Sequence, residues 1–362
     1  DEKVEFRQHT TVSPDAVRLI KDGSDMAKTL LQEFVPTIQQ YQALVPPKDP
    51  LYIPWGNHDV VKQALESKLF YNIFITGLSG NGKTSMVEQV CADLGRTCVR
   101  VNIIGDTDEN DLFGGHRLIN GNTAWFDGPV IVAMKTGSVL LLDEIDLGTS
   151  KTMCLQPVLE GKSVLLKKTG EVVTPAFGFV VVATANTKGQ GSDNGKFVGT
   201  QIMNEAFLDR FPATFEQPYP PADVEREILN TFLKSTGKDP TEDVNKFIVD
   251  GLVQWVESVR DQFYKEGIHE IISTRRLVDI IKGYVIYNDI RKAISVALSR
   301  FDASTSAAFA EFYDAAIGKI EQERERLEKI RLAKEETEKN QPRILAVLNS
   351  DPDPNGVIFE RA

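Results

Sequence analysis

Between residues 60 and 217 the chain alternates short apolar runs with amphipathic stretches. Apolar runs at 72–76, 97–103, 138–142 and 178–184 have the length and β-branched content of strands, and the runs around 139–142 and 180–183 carry no polar interruption, as strands buried on both faces require. Segments 60–69, 83–94, 129–134 and 151–160 lie between them with helical character. This alternation predicts an α/β domain with a largely parallel sheet flanked by helices. After the prolines of 218–221 the pattern becomes helical only, at 222–234, 243–266 and 273–285, which predicts a small all-helical second domain, because helices without strands must pack on each other.

The flanks read differently. Ser13-Pro14-Asp15 is a helix start, continued by Val17, Leu19, Ile20, Leu30, Leu31 and Phe34, whereas the proline-rich stretch 45–54 is an extended connection. Segment 317–339 alternates acids and bases around a few apolar positions. It reads as a solvated helix laced with i,i+4 ion pairs, or as a short coiled coil or partner-binding arm. Residues 351–356 read as a turn or tail. The expected organisation is a helical segment and linker over 1–50, the α/β domain over 51–220, a helical lid over 221–300 and a charged helix with tail over 301–362.

Composition narrows the class. A chain of 362 residues is expected to hold two or three domains, and a net charge of −11 argues against a surface that grips nucleic acid, leaving open only a local basic pore. The three cysteines, Cys91, Cys98 and Cys154, show no CxxC spacing and read as reduced structural thiols. The four histidines form no ligand pair at helical spacing, so no zinc site is expected. With no apolar run of membrane-spanning length and no signal peptide, neither membrane insertion nor export is expected, and the cytoplasm is the expected location.

The chemistry sits at the ends of the apolar runs. The first is followed by Gly77-Leu78-Ser79-Gly80-Asn81-Gly82-Lys83-Thr84-Ser85, a P-loop. Its glycines let backbone N–H groups wrap a polyphosphate, Lys83 reaches the β- and γ-phosphates, and the Thr84 hydroxyl can ligate Mg²⁺ at the start of a helix. The third run ends in Asp143-Glu144, where Asp143 would hold the magnesium shell and Glu144 would orient the attacking water. ATP and Mg²⁺ are therefore the expected cofactors. The fourth run ends at Asn186, which could bond the water or the γ-phosphate, or simply make a turn. Arg210 lies between aromatics near the end of the domain, placed either for a neighbouring subunit's nucleotide or in a surface ion pair. Arg275 and Arg276 open a helix of the second domain and suit phosphate binding.

Together these features resemble the AAA+ ATPases. The runs 107–115 and 125–130 resemble the insertion in the second helix that marks the MoxR branch, and a hairpin expected over 163–174 resembles that branch's insertion before sensor 1. Within the branch, Gly77 to Lys83, Leu141 to Leu147, Gln156 to Gly161 and Ala183 to Gly189 are similar to the small, ATPase subunit of aerobic cobaltochelatase. Relatives with this signature also occur in bacteriophage genomes, and for a phage-encoded copy the resemblance would imply the host cytoplasm. The resemblance covers roughly residues 50 to 290. It implies Asn186 as sensor 1, Arg210 as an arginine finger acting in trans, Arg275 as sensor 2, and Asn102 as a restraint on Glu144. Where the family's sensor 2 usually follows Ser-Pro, this chain has Ser273-Thr274, with Arg276 next door, so the choice between Arg275 and Arg276 stays open.

The resemblance further implies a homo-oligomeric, hexameric ring. Its partners would be a protein with an integrin-like (von Willebrand A) domain and a large subunit that inserts Co²⁺ into a corrin ring. The sequence itself contains no recognisable tetrapyrrole pocket or metal cluster. The alternatives are a MoxR-type chaperone or assembly factor unrelated to cobalamin, and a nucleic-acid translocase, which the acidic balance disfavours.

Overall fold

Strands that are apolar at every position have to be covered on both faces, and that requirement organises the first part of the molecule. The computed structural model describes residues 45–119, 122–189, 191 and 199–348, and the chain divides after Tyr219 into two units. The helix expected from Ser13 onward and the tail at 351–356 lie outside the described residues.

In the first unit the order is α1 (His58–Glu66), β1 (Ile73–Thr76), α2 (Lys83–Leu94), β2 (Cys98–Asn102), α3 (Glu109–Phe113), β3 (Gly114–Ile119), β4 (Asn122–Asp127), α4 (Pro129–Thr136) and β5 (Val139–Asp143). It continues with α5 (Gln156–Leu159), β6 (Val164–Leu165), β7 (Val172–Val173), β8 (Val180–Thr184), α6 (Glu205–Leu208) and β9 (Ala213–Glu216). Five strands form one sheet in the order β2-β5-β8-β1-β9, and every neighbouring pair is parallel. Alternate residues feed opposite cores. Phe74, Leu140, Leu142, Val181 and Ala183 pack with α4 residues such as Val130 and Met134. Ile73, Ile75, Leu141 and Val182 face Val61 and Leu65 of α1 and Met86, Val87 and Val90 of α2.

Two short antiparallel hairpins, β3-β4 and β6-β7, stand apart from this sheet. The second falls inside the expected hairpin at 163–174. The helix expected over 151–160 is instead a 3₁₀ segment, Ser150–Leu155, followed by the short α5. Pro157 lies in the first turn of α5, where its missing N–H costs nothing but where a continuous α-helix from 151 would need it as a donor. The fifth strand, β9, was not expected from the pattern.

The second unit is helical: α7 (Ala222–Ser235), α8 (Asp243–Tyr264), α9 (Thr274–Tyr287), α10 (Ile290–Leu298) and α11 (Ala303–Leu348). Its core gathers Leu229, Leu233, Leu252, Trp255, Val256, Leu277, Ile281, Ile294 and Phe309. Further along α11 the charged stretch begins, and Ile330 and Leu332 are exposed there. α10 follows α9 after one left-handed residue, Asn288, and its N-cap Asp289 accepts from the Lys292 N–H.

A buried ion pair crosses this unit. Arg260 of α8 donates to both carboxylate oxygens of Glu225 of α7 at 2.9 Å each, and the Thr274 hydroxyl donates to Glu225 Oε1 at 2.7 Å. The guanidinium also donates to the Ile272 carbonyl at 3.2 Å. Thr274 therefore has a structural task that a proline at this position could not perform, which is a physical reason for the departure from Ser-Pro. Removing one member of a buried pair is costly because the other charge keeps its desolvation penalty. Glu225→Ala is expected to destabilise the second unit by about 3–5 kcal/mol, read as a lowered calorimetric transition; an unchanged transition would mean that the pair contributes nothing to the fold.

Candidate functional site

The carboxyl ends of β1, β5 and β8 lie side by side, and Lys83, Thr84, Asp143 and Asn186 gather there. β1 leaves the sheet at Thr76 into the loop 77–82, where Gly77, Gly80 and Gly82 have φ of 138°, 74° and 84°. A side chain at Gly77 would bring its Cβ to 2.4 Å from the Gln217 carbonyl oxygen, and one at Gly82 to 2.6 Å from the Trp55 ring. Glycine is required at both positions by conformation and by space.

The loop is braced from the segment after β9: Asn81 Nδ2 donates to the Gln217 carbonyl at 2.5 Å and the Tyr219 hydroxyl to the Ser79 carbonyl at 2.8 Å. Lys83, buried at the start of α2, folds its ammonium back over the loop, donating to the carbonyls of Gly77 (2.6 Å) and Leu78 (3.0 Å) and to Asn81 Oδ1 and Asn186 Oδ1 (3.3 Å each). Lys83 and Asn186, a hundred residues apart in sequence, are thus in direct contact. Around the loop, the buried Trp55 Nε1, Thr76 Oγ1 and Gln217 Nε2 have no partner within the described residues.

Asp143 closes β5. Its Oδ1 accepts from the Thr84 hydroxyl at 2.8 Å and the Thr184 hydroxyl at 2.5 Å, and its Oδ2 accepts from Arg100 Nη2 at 2.6 Å. Arg100 also donates to Glu88 of α2 at 3.2 Å. Desolvation would lower the guanidinium's pKa, yet the Asp143 charge, its hydrogen bond and Glu88 hold it above the ordinary value. The next residue, Glu144, is half-buried in left-handed backbone (φ 58°, ψ 43°), a conformation rare for a side-chain-bearing residue and concentrated at functional turns. Its N–H donates to Thr184 Oγ1 at 3.2 Å. Asn102 pairs in register with Asp143, and no hydrogen bond joins it to Glu144 among the described residues.

Behind this edge, Asp146 is fully buried. Its Oδ2 accepts from the Asn186 N–H (3.0 Å), the Thr187 N–H (2.9 Å) and the Thr187 hydroxyl (3.0 Å). The backbone of Asn186 is thus fixed by a carboxylate from the segment after β5.

Arg210 is elsewhere. It precedes β9, whose Ala213 is in register with Ile73, and its carbonyl accepts from Asn72 Nδ2 at 3.1 Å, so it lies at the amino end of the strands whose carboxyl ends carry the P-loop. A four-residue strand such as β1 spans about 13 Å. The guanidinium donates to Glu160 Oε1 through Nε at 2.9 Å and Nη2 at 2.5 Å, and to the Ala206 carbonyl. Hydrogen bonds from Lys162 and Arg210 hold the Glu160 carboxyl below its ordinary pKa. In the second unit, Arg275 is exposed on the first turn of α9, while Arg276 is half-buried and reaches the Ala297 carbonyl at 3.5 Å.

Sequence reasoning missed Arg100, Thr184, Asp146, Trp55 and the bracing pair Gln217 and Tyr219. A signal existed for Arg100, a lone charge inside the run 97–103, and for Asp146, the third acid after an apolar strand. The loop-bracing residues carry no local signal, because their role is set by where β9 ends.

The site is a P-loop nucleotide site on a parallel sheet, as the glycine-rich turn and the lysine define it. Comparison with known proteins gives the family. The profile described as "AAA domain (dynein-related subfamily)" matches residues 72–211. Aerobic cobaltochelatase subunit CobS of Sinorhizobium sp is 30% identical over 294 residues, 78% of this chain and 86% of CobS. Protein NorQ of Paracoccus denitrificans is 33% identical over 139 residues, 38% of this chain and 51% of NorQ. The RuvB Holliday junction branch migration motor of Thermotoga maritima aligns at 14% identity with a TM-score of 0.40, over 71% of this chain and 78% of that one. The chain belongs to the AAA ATPases, in their MoxR-like, dynein-related branch, and is related to CobS and NorQ. No helix among the described residues is long and apolar enough to cross a membrane.

Asp146 offers a direct check on this architecture. Asp146→Asn replaces an acceptor of three bonds by an amide and is expected to cost about 1.5–3 kcal/mol of stability, measured by urea unfolding. An unchanged midpoint would show that the carboxylate does not hold the Asn186 turn.

Proposed function

We propose that the chain is an Mg²⁺-dependent ATP hydrolase that works as a hexameric ring in the cytoplasm and couples hydrolysis to remodelling of a partner. The observation that carries this reading is the convergence of Lys83, Thr84, Asp143 and Asn186 at one edge of the sheet, with Arg210 at the other.

The backbone of Gly77, Leu78, Ser79, Gly80, Asn81 and Gly82, with Lys83, Thr84 and Ser85, would hold the triphosphate at the amino end of α2. The ammonium of Lys83 would exchange its loop carbonyls for phosphate oxygens. The glycine positions that tolerate no Cβ and the pairing of a hydroxyl with a carboxylate at 2.8 Å fit a magnesium nucleotide, whose cation prefers hard oxygen donors. Thr84 and Asp143 would hold Mg²⁺, which supplies neutralisation of the phosphate oxygens. Glu144 would orient and deprotonate water, and the Asn186 amide would fix it or the terminal phosphate. Arg210, remote from its own P-loop, would supply positive charge to the neighbour's site, and Arg275, or Arg276 beside it, would act as sensor 2. The site is then complete only in a ring.

For the load, the similarity to CobS along most of its length supports a cobaltochelatase-like complex in cobalamin biosynthesis, with an integrin-like (von Willebrand A) partner and a large chelatase subunit. The similarity to NorQ supports the second reading, a MoxR-type assembly factor unrelated to cobalamin, including a phage-encoded one.

Two experiments test these levels. Arg210→Ala protomers keep a P-loop but offer no finger, and Lys83→Ala protomers offer a finger but bind no ATP; each alone is expected to lose on the order of a thousandfold in rate. Mixed under demonstrated subunit exchange, they should regain ATPase activity, and a failure at every ratio, with wild-type dilution showing independent sites, would place Arg210 outside the neighbour's site. Cobalt insertion is expected only when the large and integrin-like subunits are added to this chain with ATP. If these subunits neither bind it nor insert cobalt, the assembly-factor reading replaces the chelatase one.

A further inference from the structure

Arg100 is the unexplained charge at the metal edge. It stands on β2, on the strand neighbouring β5, and its Nη2 donates to Asp143 Oδ2 at 2.6 Å while its Nη1 donates to Glu88 Oε1 at 3.2 Å. Asp143 is almost wholly buried, whereas the arginine and Glu88 side chains are 47% and 30% exposed. The guanidinium can therefore move towards solvent, and the carboxylate cannot. Thr84 and Glu88 are one helical turn apart on α2, so the same face of that helix carries a proposed metal-holding hydroxyl and an alternative carboxylate for the arginine.

A guanidinium and a divalent cation on one carboxylate repel each other. The carboxylate that would hold the metal is already neutralised by a cation that belongs to the protein. Releasing Asp143 does not leave Arg100 unpaired, because Glu88 remains within reach. The remaining oxygen, Asp143 Oδ1, keeps its bonds from Thr84 and Thr184 in either case.

We propose that Arg100 is an internal counter-ion of the metal seat: it neutralises Asp143 when Mg²⁺ is absent and shifts onto Glu88 when Mg²⁺ arrives with the nucleotide. Arg100 is a positioning residue that sets how strongly nucleotide binding depends on the metal. The inference rests on the magnesium-nucleotide reading of the P-loop above.

The test is the affinity for N-methylanthraniloyl-ADP, measured by fluorescence in saturating Mg²⁺ and in EDTA, and expressed as the dissociation constant in EDTA divided by that in Mg²⁺. No turnover is involved. Wild type should bind more tightly with Mg²⁺. Arg100→Gln leaves Asp143 unneutralised, which weakens metal-free binding and strengthens the metal-bound state, so the ratio should rise by about two- to fivefold, the range of partly exposed ion pairs. Glu88→Gln removes the alternative partner and should lower the ratio. Opposite shifts in the two variants support the exchange; no shift in either variant, or shifts in the same direction, overturns it. If wild type itself binds the nucleotide equally with and without Mg²⁺, the metal seat fails, and the role of Arg100 fails with it.

Discussion

A carboxylate at the end of a fully buried strand must be paired, and in this protein the pairing of Asp143 joins the elements of the site. β5 is apolar up to its last residue, so Asp143 reaches the sheet edge with little access to water. Leaving such a charge without partners would cost several kcal/mol. Its partners come from three directions: Thr84 from the helix after the P-loop, Thr184 from the end of β8 and Arg100 from β2. Satisfying one charge therefore fixes the distance between the P-loop helix and both strands beside β5. The same order brings Asn186, two residues beyond the end of β8, into contact with Lys83, and places Glu144 directly after the held end of β5.

A second buried carboxylate repeats the device one layer back. Asp146 ties the backbone after β8 to the turn after β5, so the contact between Asn186 and Lys83 does not depend on the long side chain alone. In the helical unit a third, Glu225, anchors the start of α9 through Thr274 and Arg260. In each case an apolar framework sets the position and a charge-assisted bond selects the register.

Much of this was legible in the sequence, and the exceptions have physical causes. β1, β5 and β8 could be read because both faces are buried and the runs are uninterrupted. β9 could not: Ala213–Glu216 is a short edge strand that exposes Thr214 and Glu216, and its pattern resembles a loop. The break at Pro157 was visible as a residue but not as the end of a 3₁₀ segment. The P-loop and the acids after β5 could be read because their spacing is local. Arg100, Gln217 and Tyr219 act across β-strand pairings, which a linear pattern does not display. Arg210 was readable as a residue, but its location at the opposite sheet edge follows only from the register of β9 on β1.

The edge formed by β1, β5 and β8 is where we propose that nucleotide and metal bind. Amide hydrogen exchange with and without ADP and Mg²⁺ tests it most directly, since the backbone N–H groups of the loop are the proposed ligands. Exchange should slow in the segment 77–85 and around Asn186, and stay unchanged in the hairpin of β6 and β7. Equal exchange across 77–85 at saturating nucleotide, or protection confined to other segments, would rule out this edge as the nucleotide site.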